Sequence, residues 1–288
     1  MKTDVQAVFL TRYSFFGSSG WRAADSKDKA RLLDPERLNK RFELFQKMNL
    51  ASLAAQTDPD FKLVILTSSD MPAPQAKTLT EACKDTLGDE RTRILFRAPG
   101  SAGQWFQKYL SRRMNRISHS LQIVLDDDDA VSADFTEIVR REGAFAASTL
   151  SPEMPHQYLS FPNGLTAKFE KDGINLMPRD VPFTNLGLTL VAPTDTPKSP
   201  FMLAHKKVAR RHKVRVIHDQ RPYYIRAVHD TNDSRAHHND EYMDAAAVEK
   251  MFPYFPLLRD LDLKAFGGKP ADHRKDHDTT ASSSSAAA

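Results

Sequence analysis

Short apolar runs alternate along the first half of the chain with longer stretches whose apolar positions recur every three to five residues. Ala7 to Leu10 is an unbroken apolar run, the pattern of a strand buried on both faces. Phe61 to Leu66, Thr92 to Phe96 and Leu121 to Leu125 predict three more buried strands. Leu38, Phe42, Phe45, Met48 and Leu53 fall close to one helical face. Asp34 followed by Pro35 marks the start of that helix, with Asp as cap and Pro at the first helical position. Further helices are expected after Pro74 to about Leu87, from Gly103 to about Ser118, and from Ala133 to Arg141. Phe15 to Ala24 is rich in Gly and Ser and reads as a loop.

Strand and helix in alternation predict an α/β fold with a mainly parallel sheet covered on both faces. Ligands of such sheets bind at the carboxyl ends of the strands. The positions that matter are therefore Thr11-Arg12, Thr67 to Asp70, Arg97 to Ser101 and Asp126 to Asp129. The second half is more irregular. Its expected strands are Leu165 to Phe169, Leu186 to Val191, Val214 to Ile217 and Tyr223 to Val228, with a helix over Phe201 to Arg211. Phe161-Pro162-Asn163-Gly164 reads as a turn, Asn-Gly being a hairpin signal. From Gly267 the chain loses apolar periodicity and is expected to be a disordered tail, with His273 and His277 solvated. No internal repeat is visible.

The 288 residues leave room for one large α/β domain, and 40% hydrophobic with 27% charged residues is ordinary for a soluble protein. No apolar stretch approaches the roughly 20 residues a bilayer requires, and the first residues lack the apolar core of a secretory signal. Cys83 is the only cysteine, so no intramolecular disulfide forms, and a cytoplasmic setting is expected. It has no matching catalytic partner. The formal charge of +4 suits phosphate-bearing ligands or an anionic membrane surface. The excess is too small and scattered to argue nucleic-acid binding. The basic segment His205 to Lys213 suits either a solvated helix face or a peripheral membrane contact.

The sharpest feature is Leu121 to Ala130, LQIVLDDDDA. Four carboxylates directly after a buried strand repel one another, and a divalent cation offsets that repulsion. Mg²⁺ or Mn²⁺ takes oxygen ligands, commonly one or two carboxylates together with substrate phosphates. Such an ion neutralises a departing diphosphate. The competing reading is a solvated acidic turn capping the next helix. The spaced ligands of an EF-hand are absent.

Gly100 to Val139 resembles the central signature of the GT-A glycosyltransferases. There a Gly-rich turn leads into a helix, a strand, an acidic D-x-D-D and a further helix. Arg113 and Asn115, separated by Met114, depart slightly from the usual Arg-Asn. Gln56 to Asp70 resembles the second strand of that fold and the acidic turn after it. More narrowly, Arg41 to Phe61, LDDDDA, FPNG (Phe161 to Gly164) and IRAVHDTN (Ile225 to Asn232) resemble the bacterial family labelled rhamnosyltransferase. The resemblance spans about residues 5 to 235. It implies a GT-A-like, Rossmann-type fold over residues 1–266. Residues 1–140 would form the nucleotide-sugar-binding half and 141–266 an acceptor-side half, with the tail at 267–288.

The same resemblance implies roles. Asp126 and Asp128 would form the D-x-D that holds Mn²⁺ or Mg²⁺ on the diphosphate, although Asp127 and Asp129 make an equal pair by spacing. His229 is the matching candidate for a further metal ligand, against a plain turn residue beside Asp230 and Asn232. Asp70 is expected at the nucleoside or in a turn, Thr11 and Arg12 at base or phosphate, and Arg113 at the diphosphate or on a solvated face. An inverting enzyme also needs a general base. Asp180 in MPRDVPF is the candidate, with Glu170 and Asp172 as rivals. Trp21 and Trp105 suit stacking on a sugar or packing in the core. His237-His238 before Asp240-Glu241 reads as a solvated polar segment. The expected activity is sugar transfer from a nucleotide-diphosphate sugar to a glycan or lipid-linked acceptor. A nucleotidyltransferase is the rival enzyme, but FFGSSGWR is poor in Gly beside a phosphate loop. A non-catalytic glycan-binding protein on the same fold is the other alternative.

Overall fold

The structure is a computed structural model that describes residues 4–18, 28–229 and 241–264. Trp21, Asp230, Asn232, His237, His238 and the tail from Gly267 lie outside them. The four predicted strands are β1 (Val5–Arg12), β2 (Phe61–Ser68), β3 (Thr92–Arg97) and β4 (His119–Val124). They are parallel neighbours in the order β4-β1-β2-β3. The sheet continues from β4 to β9 (Thr189–Pro193), then β6 (Gln157–Ser160), and ends on β10 (Val214–Val216). Only β9 runs against its neighbours.

Alternate residues of a strand point to opposite faces, and both faces here are buried. Phe9, Leu63, Ile65, Leu121 and Ile123 pack into one core. Its helices are α2 (Pro35–Leu44), α4 (Ala73–Leu87) and α6 (Phe135–Ser148). Val8, Leu10, Val64, Leu66 and Leu95 pack on the other side against Phe106 and Leu110 of α5 (Ala102–Arg113). This is the expected GT-A-like, Rossmann-type arrangement. Asp34 caps α2 as predicted, accepting from the Arg37 amide. A short α1 (Lys29–Leu32) precedes it, and α3 (Ala51–Ala54) continues its axis. Cys83 is buried on α4, and burial pushes its thiol up to about 12.

The second half departs from expectation in three places. A second sheet, β5-β11-β7-β8, is built from β5 (Ala130–Val131), β7 (Asn163–Glu170), β8 (Gly173–Asp180) and β11 (Tyr224–Val228). Pro178-Arg179-Asp180 of the MPRDVPF segment is thus the end of β8. The helix expected over Phe201 to Arg211 is broken into 3₁₀ turns at Pro200–Met202 and His205–Lys207 and a single helical turn, α7 (Val208–Arg211). Leu203 between them is extended, and Phe201 is drawn to Phe106. Tertiary packing there overrides helical periodicity.

Asn163 and Gly164 do not make a turn either. They open β7, and the β7–β8 hairpin closes at Glu170 and Gly173. Gly164 is required by close approach: a Cβ there would sit 2.4 Å from the Tyr224 ring on the paired strand. Tyr224 is fully buried, so Gly164→Ala is expected to destabilise by about 1–3 kcal/mol through overpacking. Urea denaturation measures it, and an unchanged midpoint would mean that the ring yields freely.

Candidate active site

β1 and β4 are in register, with Leu10 opposite Val124. Two residues further on, Arg12 and Asp126 therefore meet across the carboxyl rim of the sheet, their ion pair 2.6 Å long. The guanidinium of Arg12 also lies 4.8 Å from the Phe201 ring centre. After Asp126 the chain crosses from the first sheet to β5 of the second, so the four carboxylates occupy the crossover.

The helix opposite supplies their partners. Leu38, Arg41 and Phe45 share its buried face, three and four residues apart. Arg41 is 4% exposed and its guanidinium reaches both Asp127 and Asp128, the latter at 3.2 Å. The helix then widens into a π-turn over Phe45–Leu50, a feature often found at functional sites. The turn aims the Asn49 amide inward. It donates to the Asp126 carbonyl at 2.9 Å and approaches the Thr11 hydroxyl at 3.4 Å. Seven residues later the buried Gln56 side chain donates to the Ser52 and Ser132 carbonyls and accepts from the Thr136 amide and hydroxyl. It fixes the segment leaving the acidic cluster.

The four carboxylates differ in consequence. Asp127 is 1% exposed, and burial pushes its carboxyl up to about 6 against the opposing charge of Arg41. Asp129 accepts from the Ala227 amide at 3.0 Å. Burial, with Asp128 and Asp126 close by, holds it well above the usual carboxylate range. Asp128 is buried too, but Arg41 and His229 outweigh burial and hold it below its ordinary value. His229 follows β11, its Nε2 3.0 Å from the Asp128 Oδ2. Asp126 is the most open of the four, its side chain 22% exposed.

Arg41 reaches into both D-x-D registers. Asp127 and Asp128 both meet Arg41, Asp128 also meets His229, Asp129 turns to the Ala227 amide, and Asp126 pairs with Arg12 and keeps the most exposed side chain. The 3.0 Å between His229 and Asp128 is a hydrogen-bond distance, so the two side chains are each other's partners here. Among the described residues no group of three or more His, Cys, Asp or Glu is placed to hold a metal ion by itself. A donor set this small suits an ion that keeps waters and takes phosphate oxygens.

Other expected residues lie elsewhere. Thr11 is fully buried, its hydroxyl near Asn49 and not on open surface. Asp70 follows β2 on the same rim but is ion-paired with the exposed Lys29, which lowers its carboxyl. Arg113 ends α5 beside Lys62 and Thr92, where β2 and β3 begin, the edge of the sheet opposite the cluster. Asp180 pairs with Asn163 at the start of β7, whereas His229 follows the Val228–Lys168 pair near its end. Asp180 is therefore at the wrong end of the second sheet for a base. Glu170 is held by Lys168 and Lys264, which pull it down to about 2, and Asp172 also by Lys264. Trp105 is half-buried on α5.

Arg41 and Asn49 escaped sequence reading. The available signal was their polarity at positions periodic with Leu38, Phe45 and Met48, where core residues are expected.

A family model described as "Putative rhamnosyl transferase" matches residues 6–241. The chain belongs to this family. The rhamnosyl transferase match takes in β1 through β11 and the acidic crossover with His229. No curated protein matches the sequence. Among solved structures, the chain is similar to TarS of S. aureus residues 1–349, at 12% identity and TM-score 0.38, covering 77% of this chain and 60% of that one. A second TarS structure matches at 13% identity and TM-score 0.40, covering 78% of this chain and 37% of that one. A nucleotide-diphospho-sugar transferase from Desulfovibrio desulfuricans G20 matches at 10% identity and TM-score 0.32, over 80% and 83%. The chain thus spans about three fifths or less of the TarS chains. No helix among the described residues is long and apolar enough to cross a membrane.

Proposed function

We propose that the protein transfers a sugar, rhamnosyl by its family, from a nucleoside-diphosphate donor to a hydroxyl of a glycan or lipid-linked acceptor, with a divalent cation in the site. The observation that supports this reading is the meeting of Asp126, Asp128 and His229 after the parallel sheet's β4. Asp126 is the most exposed of the four carboxylates, and buried Asp128 lies 3.0 Å from the His229 imidazole. Asp126, Asp128 and His229 would hold Mn²⁺ or Mg²⁺. When bound, the ion supplies positive charge at the diphosphate leaving group. Arg12 orients Asp126 and adds a guanidinium at the rim, suited to phosphate oxygens. Arg41 and the Ala227 amide fix the inner carboxylates, so that Asp128 presents one defined oxygen. In the reaction the acceptor oxygen bonds to the anomeric carbon, the carbon–oxygen bond to the diphosphate breaks, and the hydroxyl proton is released. Inversion of configuration requires a carboxylate on the acceptor side to take that proton. With Asp180 remote and Glu170 and Asp172 ion-paired, no residue is assigned to that task.

Thermal denaturation tests the donor site, since binding to the native state raises the melting temperature. UDP, GDP, dTDP and CMP would each be supplied with Mn²⁺, Mg²⁺ or EDTA. One nucleoside diphosphate is expected to raise the midpoint with metal and not with EDTA. At 100 times its dissociation constant the stabilisation is about 2.7 kcal/mol. No shift with any combination would remove the acidic cluster as a donor site.

A further inference from the structure

β3 is the edge strand of the large sheet, so no neighbouring strand covers the outer flank of α5. The opposite flank is closed, with Gly103 packed on Phe201 and Met202. The open flank and the end of β3 enclose a groove of about 420 Å³ lined by Arg97, Trp105, Lys108, Tyr109, Arg112 and Arg113. Every lining residue is a cation or an aromatic. Arg97 and Lys108 lie over the Trp105 ring at 5.5 and 5.4 Å from its centre. None of the four cations forms an ion pair among the described residues. Sequence reading left Trp105 between stacking and core, and Arg113 between the diphosphate and a solvated face. Together they line a different surface.

We infer that this groove is a second binding site, for a sugar chain carrying phosphate or carboxylate groups. The inference rests on the transferase reading above and makes the groove a hold for an acidic acceptor, away from the reacting hydroxyl. Aromatic side chains offer apolar area to sugar rings, and cations that form no ion pair among the described residues attract acid groups between them. From Trp105 to Arg112 the helix rises about 10 Å, room for more than one sugar unit. A bilayer suits the surface less well. The groove is concave and Trp105 is half-buried in it, whereas membrane anchoring needs apolar side chains that project.

The protein has two tryptophans, so Trp21→Phe leaves Trp105 as the sole indole reporter. Its fluorescence would be titrated with oligogalacturonate, a phosphomannan oligosaccharide and a neutral dextran oligosaccharide. At least one acidic sugar is expected to change the emission, with affinity falling as salt rises, and dextran is not. Lys108→Ala with Arg112→Ala, both at exposed positions, is expected to weaken that binding at least tenfold. Equal binding by the double variant overturns the inference, as does equal binding of dextran or silence with both acidic sugars. Tighter binding of a single-stranded oligonucleotide or of phosphatidylglycerol vesicles than of any glycan also overturns it. The metal-dependent nucleotide shift, measured on the same double variant, is expected to be unchanged. Its absence in wild type would strike the donor reading instead, so the two failures are distinguishable.

Discussion

Arg41→Met is expected to be the most destabilising single substitution in the site, costing about 3–5 kcal/mol. Its guanidinium is the common partner of Asp127 and Asp128, and the side chains of all three are 10% exposed or less. Removing it leaves Asp127 without its guanidinium partner and Asp128 with His229 alone, and an unpaired buried charge costs more than the pair contributed. For a chain of this size a loss of 1 kcal/mol lowers the melting midpoint by about 2–4 °C, so a fall of roughly 6–20 °C is expected. Arg41→Lys should recover only part of it, because one ammonium lacks the forked geometry that serves two carboxylates. Asp127→Asn placed on Arg41→Met should restore some stability by removing one of the abandoned charges. If Arg41→Met melts within 2 °C of wild type, the buried ion pairs are not what holds the crossover.

Asp128→Asn is expected to do the reverse, sparing the fold and removing turnover. The amide is nearly isosteric, and Arg41 keeps Asp127 as a partner. What disappears is the negative oxygen presented beside His229. Loss of one preorganised electrostatic contact in an active site typically costs about 10²–10³ in kcat, and loss of a metal ligand should reach at least that. Release of nucleoside diphosphate from a donor that shifts the melting curve measures it. The same variant should lose the metal-dependent part of that shift. Asp129→Asn serves as contrast: the Ala227 amide can still donate to its side-chain oxygen, so activity should be far less affected. Wild-type transfer by Asp128→Asn would remove this residue from the machinery and, with it, the 126/128 register.

The parallel half of the fold was legible because its signals are local. A strand buried on both faces reads as an apolar run, as in β1, β2 and β4, and edge strand β3 still shows Ile94 to Phe96. The Asp34-Pro35 start of α2 is likewise written within one turn. The acidic cluster was legible because charge at the end of a buried strand conflicts with packing alone. Residues whose roles depend on distant partners could not be read. Arg41 belongs to a strongly polar stretch and meets its carboxylates 86 and 87 residues away. Asn49 works through a π-turn that no propensity announces. Gly164 follows Asn163 as it would in a hairpin, yet the ring that demands a glycine lies on β11. Arg113 and Asp180 were placed by resemblance of sequence order, and the sheet edge on which each lies was not part of that information.

The position of the acidic crossover governs when this protein can become whole. β1 to β4 can pair as soon as the first 124 residues are available, since every partner is already present. The carboxylates that follow must wait. β5 pairs with Tyr224 and Ile225, Asp129 is satisfied by the amide of Ala227, and Asp128 meets His229. On a ribosome adding about 5–20 residues per second, that interval of roughly 100 residues lasts about 5–20 s. Through it the nascent chain carries a cluster of like charges with only the Arg12 and Arg41 partners to restrain it. The candidate site is thus assembled only after the parallel half, closed by the strand that delivers His229, with residues 241–264 still to pack on the second sheet.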